Sequence, residues 1–347
     1  MYYSLDDGAN WVPLSLNLPD TQVADIAVEK HDLVIATHGR SFYVLDGIDL
    51  LRQFTPEVLS GKAYLFAPQA AVRPSRPAVI DYYLTEHAPK AVLEILDATG
   101  RVVRTFASTA GGDSTTGREA PAGRAASSVP AKAGANRFEW DLRYPGATTF
   151  PGIVLRYAVP GEGPLAPPGQ YLVRLTANGV TQTQPLGIQR DPQLTDVTDA
   201  DLREQFKLAI EIRDALSRAH ESVIRIRSLD SQMEKSAAEA KDPDIAQNAA
   251  LIKSKLDEIE SDLYQVKNRS PRDTLNYPIK LNNQLAVLQR LVGMGDARPA
   301  DQDYAVFREL STRLDEILGR LDRVVATGLK QLNDRLAARN LKTITAK

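Results

Sequence analysis

Glycine and proline change abruptly in frequency at about residue 194, and this change limits what the chain can fold into. The first 194 of its 347 residues contain 17 glycines and 17 prolines, whereas the last 153 contain four of each. Glycine frees the backbone and proline removes an amide donor, so both interrupt long helices. We therefore predict a multidomain protein with β-structure first and α-structure second, and a boundary near residue 191.

The C-terminal region repeats apolar residues at alternating steps of three and four, which places one apolar stripe along each helix. Such runs cover residues 202–226, 245–266, 281–292 and 307–336. Thr198 with Asp201, and the dipeptides at 242–243 and 270–271, provide start signals. Because each stripe needs a partner, we predict an antiparallel four-helix bundle over 195–347 that folds without the rest of the chain.

The N-terminal region consists of short apolar runs separated by turn residues, which is typical of antiparallel β-structure. The runs before residue 46 predict a β-meander, and those between 79 and 177 predict a β-sandwich. Two inserts interrupt the second set. Residues 108–134 are mostly small or hydroxylated, which predicts a mobile loop, whereas residues 145–169 include Phe150 and Tyr157 and predict an ordered, irregular loop.

Residues 4–11 form one complete motif, in which Ser4, Asp6, Gly8 and Trp11 occupy the fixed positions of the pattern Ser-x-Asp-x-Gly-x-x-Trp. Physically the motif suits a hairpin turn: the Ser and Asp oxygens accept amide hydrogens, Gly takes a positive φ, and Trp covers the turn. The pattern resembles the Asp box, or BNR repeat, of sialidase-like and sortilin-like β-propellers. The Ala-Thr-His-Gly-Arg-Ser-Phe run at 36–42 is similar to the last blade of such propellers.

The resemblance extends over nearly the whole chain. Residues 91–104 and 136–141 look like the immunoglobulin-like (Ig-like) domain of flagellar hook-capping proteins. The order of parts is similar to the C-terminal end of large bacterial Asp-box propeller proteins labelled "glycosyl hydrolase". Together with the residue patterns, which place a proline-containing connecting stretch before residue 76, this resemblance predicts incomplete propeller blades at 1–50, a linker at 51–76, an Ig-like β-sandwich at 77–191 and the four-helix bundle at 195–347. It also implies an extracellular or periplasmic location.

The propeller portion is too short to close a ring. A propeller needs at least four blades of roughly 40 to 45 residues, and about 46 residues belong to it here. We therefore expect the chain to be the C-terminal part of a longer protein, with Met1 an internal or misassigned start. Its first partner would then be the missing N-terminal blades.

Composition excludes several other classes of function. There are 42 Lys and Arg against 44 Asp and Glu, so no overall charge favours nucleic acid, and no apolar run is long enough for a membrane span or a signal peptide. The chain has no cysteine, which excludes disulfides and every cysteine-based metal or catalytic site.

No catalytic constellation emerges from the residues. A sialidase-like site needs clustered arginines, a Tyr–Glu couple and an acidic residue at the propeller centre, and only Arg40 and Tyr43 could be remnants of one. Structural roles explain both better. The four histidines, at 31, 38, 87 and 220, are too scattered for a triad or a metal site.

Acidic and glycine pairs do not add a binding site. Turn and helix-cap roles explain the acidic pairs at 6–7, 199 and 201, and 301 and 303 better than calcium does, because no EF-hand loop follows any of them. The glycine pairs lack the context of a phosphate loop. We therefore predict no catalytic, metal or cofactor site in this chain.

Three hypotheses about function follow. The preferred one is a non-catalytic structural or protein-interaction module of a secreted Asp-box propeller protein, whose partner beyond the missing blades would be another protein or a glycan. The alternative is the C-terminal portion of a sialidase-like glycoside hydrolase whose active site lies in the missing blades. The second alternative is a secretion or surface-attachment adaptor.

Overall fold

The computed structural model describes residues 1–108 and 128–345 and combines several β-sheets with helices. Most of the insert for which we predicted mobility, residues 109–127, lies outside the described residues. The chain forms two compact units. The first contains residues 1–71, 76–141 and 169–187, and the second contains residues 72–75, 142–168 and 188 onwards.

The first unit begins with two small antiparallel sheets. Strands β1 (Tyr2–Tyr3) and β2 (Val12–Pro13) form a hairpin. Strands β3 (Val23–Glu29), β4 (Asp32–Thr37) and β5 (Phe42–Leu45) form a three-stranded sheet in that order, which we call the N-terminal sheet. Two short helices follow, α1 (Asp49–Gln53) and α2 (Pro56–Ser60).

Eight further strands form a five-stranded and a three-stranded sheet. The strands are β6 (Ala63–Leu65), β7 (Ala71–Arg73), β8 (Ala78–Leu84), β9 (Ala91–Asp97), β10 (Val102–Ala107), β11 (Gly134–Trp140), β12 (Gly169–Ala177) and β13 (Val180–Arg190). The first sheet has the order β10-β9-β12-β13-β7 and the second has the order β11-β8-β6. Buried and half-buried residues alternate along β8, so one face of this strand is fully covered. Aromatic pairs join the two sheets: the ring centroids of Phe106 and Phe138 are 4.7 Å apart, and those of Trp140 and Tyr171 are 6.0 Å apart.

The stretch 51–76, predicted to be a linker, is structured. It contains the end of α1, all of α2, and strands β6 and β7. The cause is aromatic packing, because Phe54 stacks on Phe66 at 5.8 Å and meets Tyr83 edge-on at 5.4 Å. Pro56 starts α2 at a position where its missing amide costs nothing.

The second unit is built on long helices whose positions follow the predicted apolar stripes. The helices are α3 (Asp199–Ala240), α4 (Pro243–Leu263), α5 (Leu281–Val292), α6 (Asp301–Val324) and α7 (Lys330–Ala338), with a π-helical turn (Val325–Leu329) between the last two. Thr198 and Asp201 form the predicted capping box of α3, and Asp242 caps α4 before a first-turn proline. Ser270 and Pro271 instead begin a 3₁₀ turn (Pro271–Leu275), and α5 starts ten residues later, at Leu281.

Ion pairs and hydrogen bonds between helices show an arrangement that differs from four antiparallel helices side by side. Helices α3 and α6 run parallel, whereas α4 and α5 both run antiparallel to α3. Helix α4 contacts the C-terminal half of α3 and α5 contacts the N-terminal half, so α4 and α5 follow one another along α3. Their lengths fit this, since α3 has 42 residues and the other two have 21 and 12. The pairs that fix the directions are Arg218–Asp315, Arg225–Asp322, Arg227–Glu260, Asp230–Lys253, His220–Asn282 and Gln205–Val292.

The irregular segment 142–168 packs where α4 ends and α5 begins. Phe150 is buried in the helical core, where its ring meets those of His220 at 5.3 Å and Tyr264 at 5.1 Å. The side chain of Asn283 bonds both backbone groups of Arg156. The insert is therefore ordered, as predicted, because its side chains and backbone pack against the residues between the end of α4 and the start of α5.

Candidate interaction surface

The hairpin of β1 and β2 holds the Ser-x-Asp-x-Gly-x-x-Trp motif in one turn. The Gly8 amide donates to Ser4 Oγ at 2.8 Å, and the Asn10 amide donates to Asp6 Oδ1 at 2.8 Å. The Asn10 side chain bonds the same carboxylate, and these bonds, with one from Ser4, lower the pKa of Asp6. Gly8 has a φ of 92°, a conformation that glycine adopts without strain.

Trp11 lies against this turn and exposes a large apolar surface. A β-carbon placed on Gly8 would be 3.6 Å from the indole ring, so ring and turn are in contact. Even so, 62% of Trp11 remains accessible to solvent. The turn thus fixes the ring without burying it, which leaves it available to another surface.

The first face of the N-terminal sheet is apolar or aromatic except for Thr37 at the end of β4. Because side chains alternate along a strand, the pairing register assigns residues to the two faces. In β4, Ile35 is buried, but on the neighbouring edge strand Ile26 is 50% exposed and Val28 is also exposed. This face carries Val23, Ile26, Val28, Leu33, Ile35, Thr37, Tyr43 and Leu45.

The second face of the N-terminal sheet combines exposed apolar side chains with carboxylates. Phe42 is 72% exposed there and Val44 is exposed beside it. Three carboxylates lie on β3 or at the start of β4, and one of them, Asp25, shares a cross-strand row with Ala36 and Phe42. The face carries Asp25, Ala27, Glu29, Asp32, Val34, Ala36, Phe42 and Val44. Large apolar side chains are therefore exposed on both faces of this sheet, which is typical of a surface that another part of a protein covers.

Helix α1 fixes one end of the N-terminal sheet through Asp49. Its carboxylate accepts bonds from His31 in the β3–β4 turn, from Arg52 and from Gln69. Burial opposes the charge of Asp49, but these hydrogen bonds outweigh it and lower its pKa. These contacts hold the β3–β4 turn of the N-terminal sheet against helix α1, and they do not cover either face of the sheet.

The structure does not bring the other candidate residues together. Arg40 is exposed in the β4–β5 turn, and Tyr43 lies on the first face of the N-terminal sheet. His31 binds Asp49, and His220 is buried between the carbonyl of Thr148 and Asn282. Within residues 1–108 and 128–345, no three His, Asp or Glu side chains are grouped so as to hold a metal ion.

The acidic pairs in the helical region lie at helix starts. Asp201 bonds the amide and hydroxyl of Thr198, and these bonds lower its pKa. Asp303 accepts the amide of Ala300 at the start of α6. Both roles are those expected of first-turn carboxylates.

Among the described residues, none of the helices has the length and apolar character that crossing a bilayer demands.

No family model matches the chain, and neither does any curated protein. Among solved structures, CopC from Methylosinus trichosporium OB3b is 12% identical, with a TM-score of 0.19, over 37% of this chain and 94% of its own. The periplasmic chaperone SfaE is 8% identical, with a TM-score of 0.19, over 37% of this chain and 57% of its own.

Proposed function

We propose that this chain is the non-catalytic C-terminal module of a secreted or periplasmic Asp-box propeller protein, and that it binds other propeller blades through its N-terminal sheet. The observation that carries the proposal is the exposure of large apolar side chains on both faces of that sheet, with Ile26 and Val28 exposed on one face and Phe42 and Val44 on the other. Water contact with both faces is unfavourable in proportion to the apolar area, so covering them stabilises an assembly.

Propeller blades suit these faces better than a helix does. Each blade of a propeller packs between two neighbours, so both of its faces are covered by sheet. A single amphipathic helix would cover one face of the N-terminal sheet and leave the other face exposed to solvent. The Asp-box hairpin supports the same occupant, because Trp11 adds an exposed ring on the same stretch of chain.

The remaining parts of the module would extend or position the propeller. The paired sheets β10-β9-β12-β13-β7 and β11-β8-β6 support an Ig-like sandwich, and the helices support a bundle with protein-binding surface. The location follows from the resemblance of residues 4–11, 36–42 and 91–104 to secreted propeller proteins. It is tested by fractionating source cells with an antibody against this chain.

The upstream reading frame provides the first test. In-frame repeats of roughly 40 to 45 residues, each with an Asp box, support the proposal. An immediate stop codon, or upstream sequence without such repeats, overturns it. The longer protein is then compared with this chain by hydrogen exchange. We expect slower exchange in β3 and β5 of the longer protein, and equal exchange in both would contradict the docking of blades on this sheet.

Activity distinguishes the module from the hydrolase alternative. We expect no turnover of fluorogenic sialosides or glucosides by this chain. The longer protein could instead hydrolyse such a substrate, and a substitution at an upstream Arg or Tyr would then abolish the turnover. That result would assign hydrolysis to the other blades, and this chain would still serve to bind them. Turnover by this chain alone, lost in Tyr43→Phe but kept in Tyr3→Phe, would contradict a non-catalytic module.

A further inference from the structure

A cleft of about 250 Å³ lies in the second unit, between helices α3 and α5 and the segment 155–165. This site is separate from the N-terminal sheet and does not depend on the proposed function. A cavity of about 150 Å³ lined by apolar side chains holds benzene. The cleft therefore has room for an apolar group somewhat larger than a benzene ring.

The floor of the cleft is apolar and buried. Ala209 and Leu216 of α3 and Ala286 of α5 line it, and each is no more than 5% exposed. Two polar side chains also reach the floor, but their hydrogen bonds are already made. His220 bonds the carbonyl of Thr148 and the side chain of Asn282.

The second polar side chain on the floor, Gln205, is equally committed. Its amide nitrogen donates to the carbonyls of Val292 and Gly295, and its oxygen accepts from Arg73. A ligand polar group placed at the floor would lose its water contacts without finding a partner. The floor therefore selects an apolar group.

The rim of the cleft has a different character. Val159 and Met294 are 65% and 60% exposed there, and Arg290 is exposed beside them. Arg143 and Glu162 also line the cleft and neutralise each other in an ion pair of 2.9 Å. Because these two charges cancel, the charged residues that line the cleft have a net charge of one positive unit, which Arg290 carries. Its Nη1 donates to the carbonyl of Tyr157, which uses one of five guanidinium donors.

We propose that this cleft binds a small monocarboxylic acid with a compact apolar body. The body occupies the floor formed by Ala209, Leu216 and Ala286, and the carboxylate meets the guanidinium of Arg290 at the rim. Guanidinium and carboxylate form charge-assisted hydrogen bonds, so the rim adds a preference for the anion to the preference of the floor for apolar groups.

Titration of the full chain with 3-phenylpropionate, followed by calorimetry and ligand-observed NMR, tests the proposal. We expect saturable one-to-one binding, binding about tenfold weaker for the uncharged 3-phenylpropanamide, and none for acetate, which lacks the apolar body. Absence of saturable binding of 3-phenylpropionate at concentrations up to about 10 mM overturns the proposal. So does equal binding of the acid and the amide.

Variants locate the ligand. Arg290→Gln is at the surface, so we expect it to fold and to bind the acid about tenfold more weakly while binding the amide as before. Arg335→Gln, an exposed arginine of α7, is the matched control and should change neither affinity. Ala209→Leu fills the floor and should abolish binding of both compounds. If Ala209→Leu fails to fold, chemical-shift changes at Ala209 and Ala286 of the unsubstituted chain on addition of the acid locate the ligand instead. Unchanged shifts at these two residues would contradict the site. So would an affinity of Arg290→Gln for the acid equal to that of Arg335→Gln.

Discussion

Arg73 and Asp296 form an ion pair of 2.9 Å in the second unit, although 223 residues separate them, and their side chains are only 2% and 1% exposed. Arg73 also donates to the carbonyl of Ala166 and to the side chain of Gln205. One guanidinium therefore connects the segment 72–75, the segment 142–168, helix α3 and the turn after α5. The pair fixes four separate pieces of the chain in one unit.

Asp296→Ala should destabilise the second unit by about 3 to 5 kcal/mol, because it leaves a buried guanidinium without its counter-charge. Urea unfolding followed by far-UV circular dichroism measures the loss. The control is Asp334→Ala, which removes the exposed ion pair with Lys330 and should cost at most about 1 kcal/mol. Equal losses in the two variants would show that burial does not set the strength of the Arg73–Asp296 pair.

Phe150→Ala should destabilise the second unit by about 3 to 5 kcal/mol, the usual cost of removing a buried aromatic ring. The ring contacts His220 and Tyr264 and lies 4.8 Å from the guanidinium carbon of Arg227, so three residues lose packing at once. Tyr157→Ala, in the same segment but 64% exposed, is the matched control. Thermal unfolding checks the difference, and similar melting temperatures for the two variants would contradict the packing of this segment at the α4–α5 break.

The sequence predicted what local patterns determine and missed what distant pairing determines. Apolar stripes located all the long helices, because a helix shows its buried face at a fixed period. The same stripes predicted four helices side by side, since a stripe does not say which partner covers it. The succession of α4 and α5 along α3 depends on contacts such as His220 with Asn282, 62 residues apart.

The apolar runs also located most of the strands, such as β8 and β9, but one long strand was missed for a related reason. Strand β13 (Val180–Arg190) was missed because its first half, Thr-Gln-Thr-Gln, has no apolar alternation, although Gln182 and Gln184 both bond the backbone of Leu65. Arg73 gave no local signal for its burial either. In contrast, the turn of Ser4, Asp6 and Gly8 was predictable, because the hydrogen bonds that Ser4 and Asp6 accept from Gly8 and Asn10 lie within seven residues.

Leu256→Ala and Leu321→Ala should each lower the free energy of unfolding of the second unit by about 2 to 5 kcal/mol. Both side chains are 1% exposed in the shared helical core. Glu258→Ala lies on the solvent side of the same helix as Leu256 and should have little effect. Circular dichroism during heating provides the measurement, and a Glu258→Ala loss as large as that of Leu256→Ala would disprove the assignment of the apolar stripe.

His220 should make the second unit less stable as the pH falls below the ordinary histidine range. Burial lowers the pKa of His220, against the smaller opposing effect of its bond to the Thr148 carbonyl. The unfolded chain therefore takes up the proton more readily than the folded one. The stabilisation is complete above the unfolded pKa of about 6.5 and is lost as pH falls toward the folded value, by at most about 1.4 kcal/mol per pH unit.

Urea unfolding at pH 7.5 and pH 5.5 measures this loss. His220→Asn should be less stable than the unsubstituted chain at pH 7.5 but should lose less stability between the two pH values. His87→Asn, an exposed histidine in the first unit, is the control and should keep the full pH dependence. If His220→Asn keeps it as well, another group is responsible.

The N-terminal sheet should cause self-association of this chain when no other blade covers it. Exposed apolar faces and open sheet edges favour pairing with further strands, and charges placed on them oppose it. We expect the double variant Val28→Lys, Phe42→Lys, which changes one exposed side chain on each face, to stay monomeric at concentrations where the unsubstituted chain forms larger species. Val102→Lys changes an exposed valine of β10 outside this sheet and should leave the association unchanged. Multi-angle light scattering after size-exclusion chromatography decides: a monomeric unsubstituted chain, or an equal response to Val102→Lys, would show that the exposed apolar side chains on the two faces do not drive association.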